Sequence, residues 1–560
     1  MAAGVLAVSG TPAAAQCVAH TVIVNARVHT VDPAKPVAEA VAVCDERIGR
    51  VGTNEEVRKL AGPTAHVIDA GGKLLLPGFN DAHVHLVRGA EEIVGVDLRP
   101  AKNPQEFAQR IGAHAKTLPK GEWILGGYWD HEAWPAKALP TREMIDAVTP
   151  DNPVFVNRLD GHMGLANSLA LKLAKVGREV QTPDGGEIVR DAKGDLTGVF
   201  KDNAMALITN AVPDPTIEQL LPKIHAALKH AASLGVTTIQ DMTASRTEMS
   251  AYSMLMASRQ LTARIYAIQN FSVHGKEPAD TRVMLKTHVL NGPTVERREQ
   301  QFWLRTGGLK LFADGSMGSG TAAFFEPYAD DPKTSGLLLQ SPEALEKAIF
   351  DADTAGFQLV VHAIGDRANA VVLDAFEKLQ KQRGPRDRRP RIEHAQVVRQ
   401  EDKARFRQLG AIASIQPSHC IDDMRWAEAR IGRARSAISY NFKSFVDAGA
   451  RIAFGTDWFV EPLNPMLGLY AAVTRQFPDG TPAGGWFPEE RITMEQAVEF
   501  YTMGSAYAEF TETHKGSITE GKLADLVILS RDIFTVPPRE ILDTRPVLTM
   551  VGGRIVHESR

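Results

Sequence analysis

Two histidines separated by one residue, His83 and His85, follow an apolar segment of the chain. Residues 74–77 read Leu-Leu-Leu-Pro, which predicts a short buried strand. Side chains alternate between the faces of a strand, so we expect both imidazoles on one side and Val84 on the other. Because imidazole is a good ligand for zinc and related ions, the pair predicts a chelating site, with a merely polar surface as the alternative.

Further side chains suited to metal binding occur at the ends of predicted strands. They are Lys310, His362, His394 and Asp457. In a (β/α)8 barrel the carboxyl ends of all strands meet at one mouth, where active sites are built. A random scatter would not place these residue types at successive strand ends. His230, His274 and His288 lie away from strand ends, and we expect them to be merely exposed.

The motifs around these residues resemble the amidohydrolase superfamily of metal-dependent hydrolases. In detail they resemble its YtcJ-like branch, which includes N-substituted formamide deformylase. The resemblance extends over residues 20–558. Its segments are Asp160-Gly161-His162 and residues 310–318, 321–322, 362–368, 391–396, 416–419, 454–458, 516–518 and 521–526.

The resemblance implies a set of metal ligands. His83, His85 and Asp457 would bind one divalent ion, with zinc as the expected metal, and His362 and His394 a second. Lys310 would bridge the two ions as a carboxylated lysine. The pKa of a lysine falls readily on burial, and its neutral amine can then add carbon dioxide and become an anionic ligand. The alternative is a salt bridge from Lys310, for instance to Asp314, and a site for one metal.

The same resemblance implies hydrolysis of an amide, N-formyl or N-acyl C–N bond by metal-activated water, with Asp457 as the general base. We expect His162 to polarise the carbonyl or hold the oxyanion, with a structural hydrogen bond within its loop as the alternative. The substrate would be small and partly apolar. The expected substrate contacts are Trp129, Asp130, His162, Phe324 and Trp458, with Tyr128, Trp134 and Phe325 as further aromatic candidates.

Other activities remain compatible with the sequence. A deaminase of the same superfamily would use one zinc without a bridging lysine, and an ester or carbamate hydrolase would use the same ligands. An isomerase or decarboxylase would turn over without consuming water. A non-catalytic regulatory relative is a further alternative, although it would have no need of a proton-transferring Asp457.

The elements that must position these residues fall into three parts. Short β runs at both chain ends, residues 20–76 and 515–560, predict one small, discontinuous β-sandwich domain. Alternating strands and helices over residues 77–514 predict a TIM-like (β/α)8 barrel, so the fold class is α/β. The region from about 97 to 215 is rich in Trp, Pro and Gly and predicts a large insertion near the barrel mouth.

Composition bounds the remaining possibilities. The net charge of −4 over 560 residues gives no electrostatic case for nucleic acid, and no apolar run reaches the length of a membrane span. The partner is therefore expected to be a small molecule, with a homodimer as a possible assembly. Residues 1–19 resemble the end of a secretory signal, which predicts a periplasmic or secreted protein; a cytoplasmic protein with a disordered tail is the alternative.

Overall fold

The computed structural model describes residues 18–270 and 302–559. Nearly all of the predicted signal segment, His274 and His288 lie outside the described residues. Eight parallel strands form one sheet in chain order, and we label them β1 to β8. They are β1 (Phe79–Val84), β2 (Val236–Ala244), β3 (Arg264–Asn270), β4 (Leu304–Phe312), β5 (Gln358–Ala363), β6 (Arg391–His394), β7 (Ile412–Ile415) and β8 (Arg451–Phe454).

The sheet curls until its first and last strands meet. The Asp457 amide donates to the His83 carbonyl at 2.7 Å, and the His85 amide donates to the Trp458 carbonyl at 2.7 Å. These bonds join the carboxyl end of β1 to the segment after β8, so the carboxyl ends of the strands surround one mouth. The predicted α/β fold class with a TIM-like barrel is confirmed.

Helices surround the barrel and bury its apolar strand faces. The helix Ile217–Ser233 precedes β2 and begins with a capping box in which Thr216 and Gln219 exchange hydrogen bonds. Among the residues that the structure describes, the other helices of eight or more residues outside the insertion are Leu86–Val94, Arg246–Ala257, Pro342–Thr354, Asp366–Arg383, Gln400–Leu409, Ala427–Ser436 and Pro465–Thr474. No helix in the described ranges is both long and apolar enough to cross a bilayer.

Two further sheets lie outside the barrel: a six-stranded sheet that combines both chain ends and a four-stranded sheet built from the N-terminal segment alone. The six-stranded sheet has the order Arg554–Glu558, Pro546–Val551, Leu526–Leu529, Leu74–Pro77, Arg27–His29 and Val37–Ala38. The four-stranded sheet has the order Arg47–Gly52, Ala40–Cys44, Ala19–Val24 and Ala61–Asp69. The strand Leu74–Pro77 pairs antiparallel with Leu526–Leu529, so residues from opposite ends of the chain share one sheet.

The insertion after β1 forms its own five-stranded sheet. Its strand order is Gly186–Arg190, Leu196–Asp202, Met163–Ala166, Val154–Arg158 and Ile124–Trp129. The helices Pro104–Ala115, Glu143–Asp146, Ser168–Leu173 and Ala206–Thr209 accompany it. The loop between Val154–Arg158 and Met163–Ala166 carries His162, so this sheet delivers residues to the barrel mouth.

Two local expectations need correction. Residues 74–77 are not the strand that carries His83; they belong to the six-stranded sheet, and β1 starts afresh at Phe79. His85 lies just past β1, at the N-cap position of the helix Leu86–Val94, and its side chain makes no capping hydrogen bond. His230 is only partly exposed, because its ring packs 5.4 Å from the indole of Trp458.

Candidate metal centre and active-site cavity

The carboxyl ends of the barrel strands bring four histidines close to Asp457. The Nε2 atoms of His83 and His85 lie 3.5 and 3.3 Å from Asp457 Oδ1. His394 Nδ1 and His419 Nε2 each lie 3.9 Å from Asp457 Oδ2. The sequence predicted all of these residues as candidates except His419.

Asp457 has a free acceptor in a buried position. Its Oδ1 atom is buried and has no hydrogen-bond partner among the residues that the structure describes. Burial opposes ionisation of this carboxyl group, but the neighbouring His83 and His85 outweigh it and hold the pKa below its usual range. An ionised oxygen without a hydrogen bond, surrounded by imidazoles, is suited to a cation.

The imidazoles around Asp457 are held neutral. Burial lowers the pKa of His83, His85, His394 and His419, and Lys310 lowers that of His83 further. A metal binds only the deprotonated nitrogen of an imidazole. The low pKa values therefore keep these rings in the form that can coordinate an ion.

Outer hydrogen bonds orient two of these rings. His83 Nδ1 lies 2.6 Å from Glu393 Oε2, and His394 Nδ1 lies 2.7 Å from Gln416 Oε1. If each Nδ1–H donates to its oxygen, the Nε2 lone pair of each ring remains available. Carboxylate and amide partners of this kind fix the tautomer of metal-binding histidines.

Lys310 reaches the same centre from β4. Its Nζ atom lies 3.4 Å from His83 Nε2 and is buried. Burial lowers the pKa of Lys310 to about 8, although Glu393 and Asp457 oppose the shift. No ion pair joins Lys310 to Asp314 in the described ranges. The Asp314 carboxylate instead accepts hydrogen bonds from the backbone amides of Ala323, Ile364 and Gly365.

His362 extends the cluster towards the insertion. Its ring centroid lies 4.6 Å from that of His394 and 4.9 Å from that of His162. His362 Nε2 lies 3.1 Å from the Gly315 carbonyl oxygen, so a neutral ring that donates there leaves Nδ1 free. Burial and the nearby His162 lower the pKa of His362.

His162 comes from the insertion and faces the barrel residues. Its Nδ1 lies 2.6 Å from Asp202 Oδ1. Burial lowers the pKa of His162, but the hydrogen bond and charge of Asp202 outweigh this and raise it above the ordinary value. A ring that donates through Nδ1 to a carboxylate and carries a second N–H can donate to a substrate oxygen.

A cavity lies against part of this cluster. Its lining includes the imidazoles of His162, His362, His394 and His419, and segments on either side of them. The remaining lining residues are Arg158, Leu159, Asp160, Ser316, Met317, Gly318, Ile364, Gln396, Asp422, Asp423, Trp426, Val460 and Glu461. Barrel and insertion therefore share one site.

The other expected substrate contacts do not line this cavity. Trp129 is buried in the insertion and donates its Nε1–H to the Val156 carbonyl. Phe324 packs edge-on against Tyr328, and Trp458 donates its Nε1–H to Glu92. Their burial in packed clusters gives no support to substrate contact, which stays a prediction for these three residues.

Asp130 has an indirect place in the site. Its carboxylate accepts hydrogen bonds from Arg158 and Arg425, each at 3.3 Å. Arg158 lines the cavity, whereas Asp130 does not. Asp130 therefore supports a cavity residue.

The donors present fit a divalent metal ion. One ligand atom from each of His83, His394 and Asp457 lies within 4.8 Å of the others, and all three residues are buried. The orphaned Asp457 oxygen and the neutral rings supply the charge and lone pairs that such an ion needs. His85, Lys310 and His362 surround this core.

The chain is similar to known proteins over most of its length. A family model described as "Amidohydrolase family" matches residues 66–557. The chain is 35% identical to "Protein LONG AFTER FAR-RED 3" of Arabidopsis thaliana over 96% of this chain and 91% of that protein. It is 32% identical to "Putative amidohydrolase YtcJ" of Bacillus subtilis, covering 93% and 96% of the two chains.

Two more relatives support the same placement. "N-substituted formamide deformylase" of Arthrobacter pascens is 29% identical, over 96% of this chain and 98% of that protein. The crystal structure of an uncharacterized metal-dependent hydrolase from Pyrococcus horikoshii superposes with a TM-score of 0.72 at 27% identity, over 92% of this chain and 99% of that one. The resemblance to the YtcJ-like branch is confirmed, and the chain belongs to the amidohydrolase family.

Proposed function

We propose that this protein is a metal-dependent hydrolase that cleaves the C–N bond of a small N-formyl or N-acyl amide. The observation that carries the proposal is the buried Asp457 oxygen that accepts no hydrogen bond, set among neutral imidazoles of which His394 and His419 line a cavity together with His162. The similarity to a protein named N-substituted formamide deformylase supports the choice of bond.

The proposed ligands follow the geometry of the strand ends. His83, His85 and Asp457 would hold one ion, and His362 and His394 a second. Imidazole and carboxylate donors suit zinc, which is the ion we propose. Zinc bound there would polarise the carbonyl and lower the pKa of water from about 15.7 to about 7.

Lys310 would join the two positions after carboxylation. Its ammonium group loses a proton, the nitrogen lone pair bonds to the carbon of carbon dioxide, and loss of a second proton from that nitrogen yields an anionic carbamate. The lowered pKa of Lys310 favours the neutral amine that this step needs. A Lys310 that remains an amine would leave a site for one ion.

The protein's own groups would then move protons and hold charge. Asp457 would accept a proton from the attacking water and deliver it to the nitrogen of the leaving amine. His162, held by Asp202, would donate a hydrogen bond from Nε2 to the carbonyl oxygen as negative charge develops there. The buried cavity strengthens both interactions because little solvent screens them.

A substrate panel tests this proposal. Purified protein is analysed for metal content and supplied with zinc, and release of free amine is measured from N-formyl and N-acetyl derivatives of aliphatic and aromatic amines. The matching methyl esters and carbamates serve as controls for the bond cleaved. Amine release that stops after chelation and returns with zinc supports the proposal. A fully metal-loaded protein that releases no amine from the panel would contradict it.

A further inference from the structure

The cavity has an acidic wall beyond the proposed metal ligands. Asp422, Asp423 and Glu461 line the same cavity as His162 and His394. Asp422 and Asp423 end the helix Pro417–Asp423, and Glu461 lies in the loop after β8. None of these three carboxylates has a part in the proposed hydrolysis, so their presence at the cavity calls for a separate explanation.

Two of the three carboxylates already have partners. Both Asp422 oxygens accept hydrogen bonds from Arg425 Nη2 at 2.8 Å. Asp423 Oδ2 accepts hydrogen bonds from the Tyr440 hydroxyl and from Gln396 Nε2. Their acceptor capacity is therefore largely used by the protein itself.

Glu461 differs from both. It is 7% exposed, lines the cavity, and has no hydrogen-bond or ion-pair partner among the residues that the structure describes. Arg99 and Arg425, whose charges act on Glu461, are both engaged elsewhere. Arg99 pairs with Glu92 and donates to the Val460 carbonyl, whereas Arg425 pairs with Asp422.

A buried carboxylate without a partner is costly. Burial and the charge of Asp422 raise the pKa of Glu461 well above its ordinary value. A cation that entered the cavity would give the Glu461 carboxylate a partner and would also offset the charge of Asp422. Trp426 also lines the cavity, with the Arg430 guanidinium 6.0 Å from its ring centroid, and an indole face attracts organic cations.

We propose that the substrate carries a positively charged ammonium group, which binds Glu461 beside Trp426 while the scissile amide lies at the metal ligands. This inference rests on the proposed function, because it names the class of amide that the same site accepts. The substrate would be an N-formyl or N-acyl derivative of a diamine.

An organic cation fits this wall better than a third metal ion. Calcium takes about six to eight oxygen ligands, and magnesium about six. Glu461 offers one carboxylate, since Asp422 and Asp423 are held by Arg425 and Tyr440. A single carboxylate and an indole that line the same cavity match one ammonium group.

The test compares matched substrates and ligands on the zinc-loaded enzyme. Mono-N-formyl derivatives of linear diamines are set against N-formyl alkylamines of the same length, and the ratio of their kcat/KM values is measured. Binding of the free diamines and the matching monoamines is measured by calorimetry, so one readout does not need turnover. Each pair differs only in the distal ammonium group, so effects on folding or on the metal cancel in the ratio.

Three variants decide the outcome. Glu461→Gln should reduce the diamine preference about tenfold or more, as expected for the loss of a charge-assisted hydrogen bond. Glu461→Asp, which keeps the charge, should retain part of the preference. Glu489→Gln removes an exposed carboxylate outside the cavity and should leave the ratio unchanged.

Each result has a clear meaning. A wild-type preference for the charged member that falls in Glu461→Gln alone supports the proposal. The proposal is overturned if wild type shows no preference for the charged member, or if that preference falls equally in Glu489→Gln. It is also overturned if Glu461→Gln loses a calcium site while diamine binding and turnover are unchanged. Hydrolysis of neutral amides without a Glu461-dependent preference would defeat this inference alone. Diamine binding without any amide hydrolysis would defeat the proposed function alone.

Discussion

At the scale of single residues, Asp457 and His394 adopt an unusual backbone conformation. Their φ angles are 58° and 71°, in the left-handed region that residues other than glycine rarely adopt. Such conformations cost about 1–3 kcal/mol and concentrate at functional sites. In both residues the turn out of the strand directs the side chain towards His83, so we infer that local strain is the cost of assembling the centre.

The first prediction concerns Asp457. Asp457→Asn removes the proposed base but keeps an oxygen of similar position, so turnover should fall by about 10²-fold or more while metal content stays largely intact. Elemental analysis and amine release check the two parts. Asp447→Asn removes an exposed carboxylate that pairs with Lys443 and should leave both unchanged. Substantial turnover in Asp457→Asn would refute the role of Asp457.

The second prediction concerns the amide that orients His394. Gln416→Leu removes the oxygen 2.7 Å from His394 Nδ1, so the ring loses its fixed tautomer. Metal affinity should fall about 10- to 100-fold, as is typical for outer partners of metal ligands. Competition with a chelator measures the affinity. Gln400→Leu alters an exposed glutamine and is the matched control; an equal loss in both variants would contradict the argument.

Residues of the site differ in how far sequence could predict them. Lys310, His362 and His394 are recognisable because apolar runs mark strands and the strand ends of a barrel converge. His419 lies in the first turn of the helix after β7, and its position near a strand end was the available signal. Glu393 and Asp202 act through contacts between distant segments, and Glu461 lines a cavity that several segments build, which no local pattern encodes. Tryptophan is common both in hydrophobic cores and in binding sites, so residue type alone could not show which role the buried tryptophans have.

At the scale of elements, the contact between β1 and β8 decides whether the centre forms. Asp81 in β1 accepts hydrogen bonds from the amide and hydroxyl of Thr456 at 2.9 and 2.7 Å. Gly455 directly precedes Thr456, and a Cβ added to Gly455 would be 2.5 Å from the His83 amide nitrogen. The two strands therefore approach more closely than a side chain at position 455 allows.

The third prediction follows from this close approach. Gly455→Ala should separate β1 from β8, destabilise the protein by about 1–3 kcal/mol as overpacking does, and lower metal content by displacing His83. Thermal unfolding and elemental analysis measure the two effects. Gly177→Ala has no atom within 4 Å of the added Cβ and is the control. A Gly455→Ala protein with unchanged unfolding and metal content would show that the strands tolerate the methyl group.

Element prediction succeeded where the pattern was local and failed where two sheets met. The apolar run 74–77 and the strand β1 are separated by one residue, Gly78, so sequence could not show that they belong to different sheets. The insertion was recognisable by its departure from the βα repeat. Its five-stranded sheet was not, because two of its strand pairings span long connections and two have irregular register.

At the scale of the whole molecule, the sheets built from the chain ends are tied to the barrel by a buried ion pair. Arg264 in β3 donates to Asp525, just before Leu526–Leu529, at 2.7 and 3.0 Å. Both side chains are almost fully buried, and the guanidinium lies 4.5 Å from the ring centroid of Trp303. Asp525 also accepts the Gly552 amide, so one carboxylate links the barrel to two parts of the C-terminal segment.

The fourth prediction concerns this carboxylate and pH. Burial raises the pKa of Asp525, but Arg264 outweighs it and holds the pKa below its ordinary value. A carboxyl group with a lower pKa in the folded state stabilises the protein above its unfolded pKa of about 3.9, and that contribution is lost as pH falls through the folded pKa. Asp525→Asn should therefore cost about 3 kcal/mol near neutral pH, because it leaves Arg264 buried and unpaired.

The difference between wild type and Asp525→Asn should shrink as pH falls below about 4, since the wild-type carboxyl group then takes up a proton. Urea midpoints measured from about pH 7 to about pH 3 check this, because other carboxyl groups titrate alike in both proteins. Asp543→Asn changes an exposed carboxylate and should stay within about 0.5 kcal/mol of wild type throughout. A gap that stays constant or widens at low pH would mean that the Arg264–Asp525 charge pair does not hold the chain ends to the barrel.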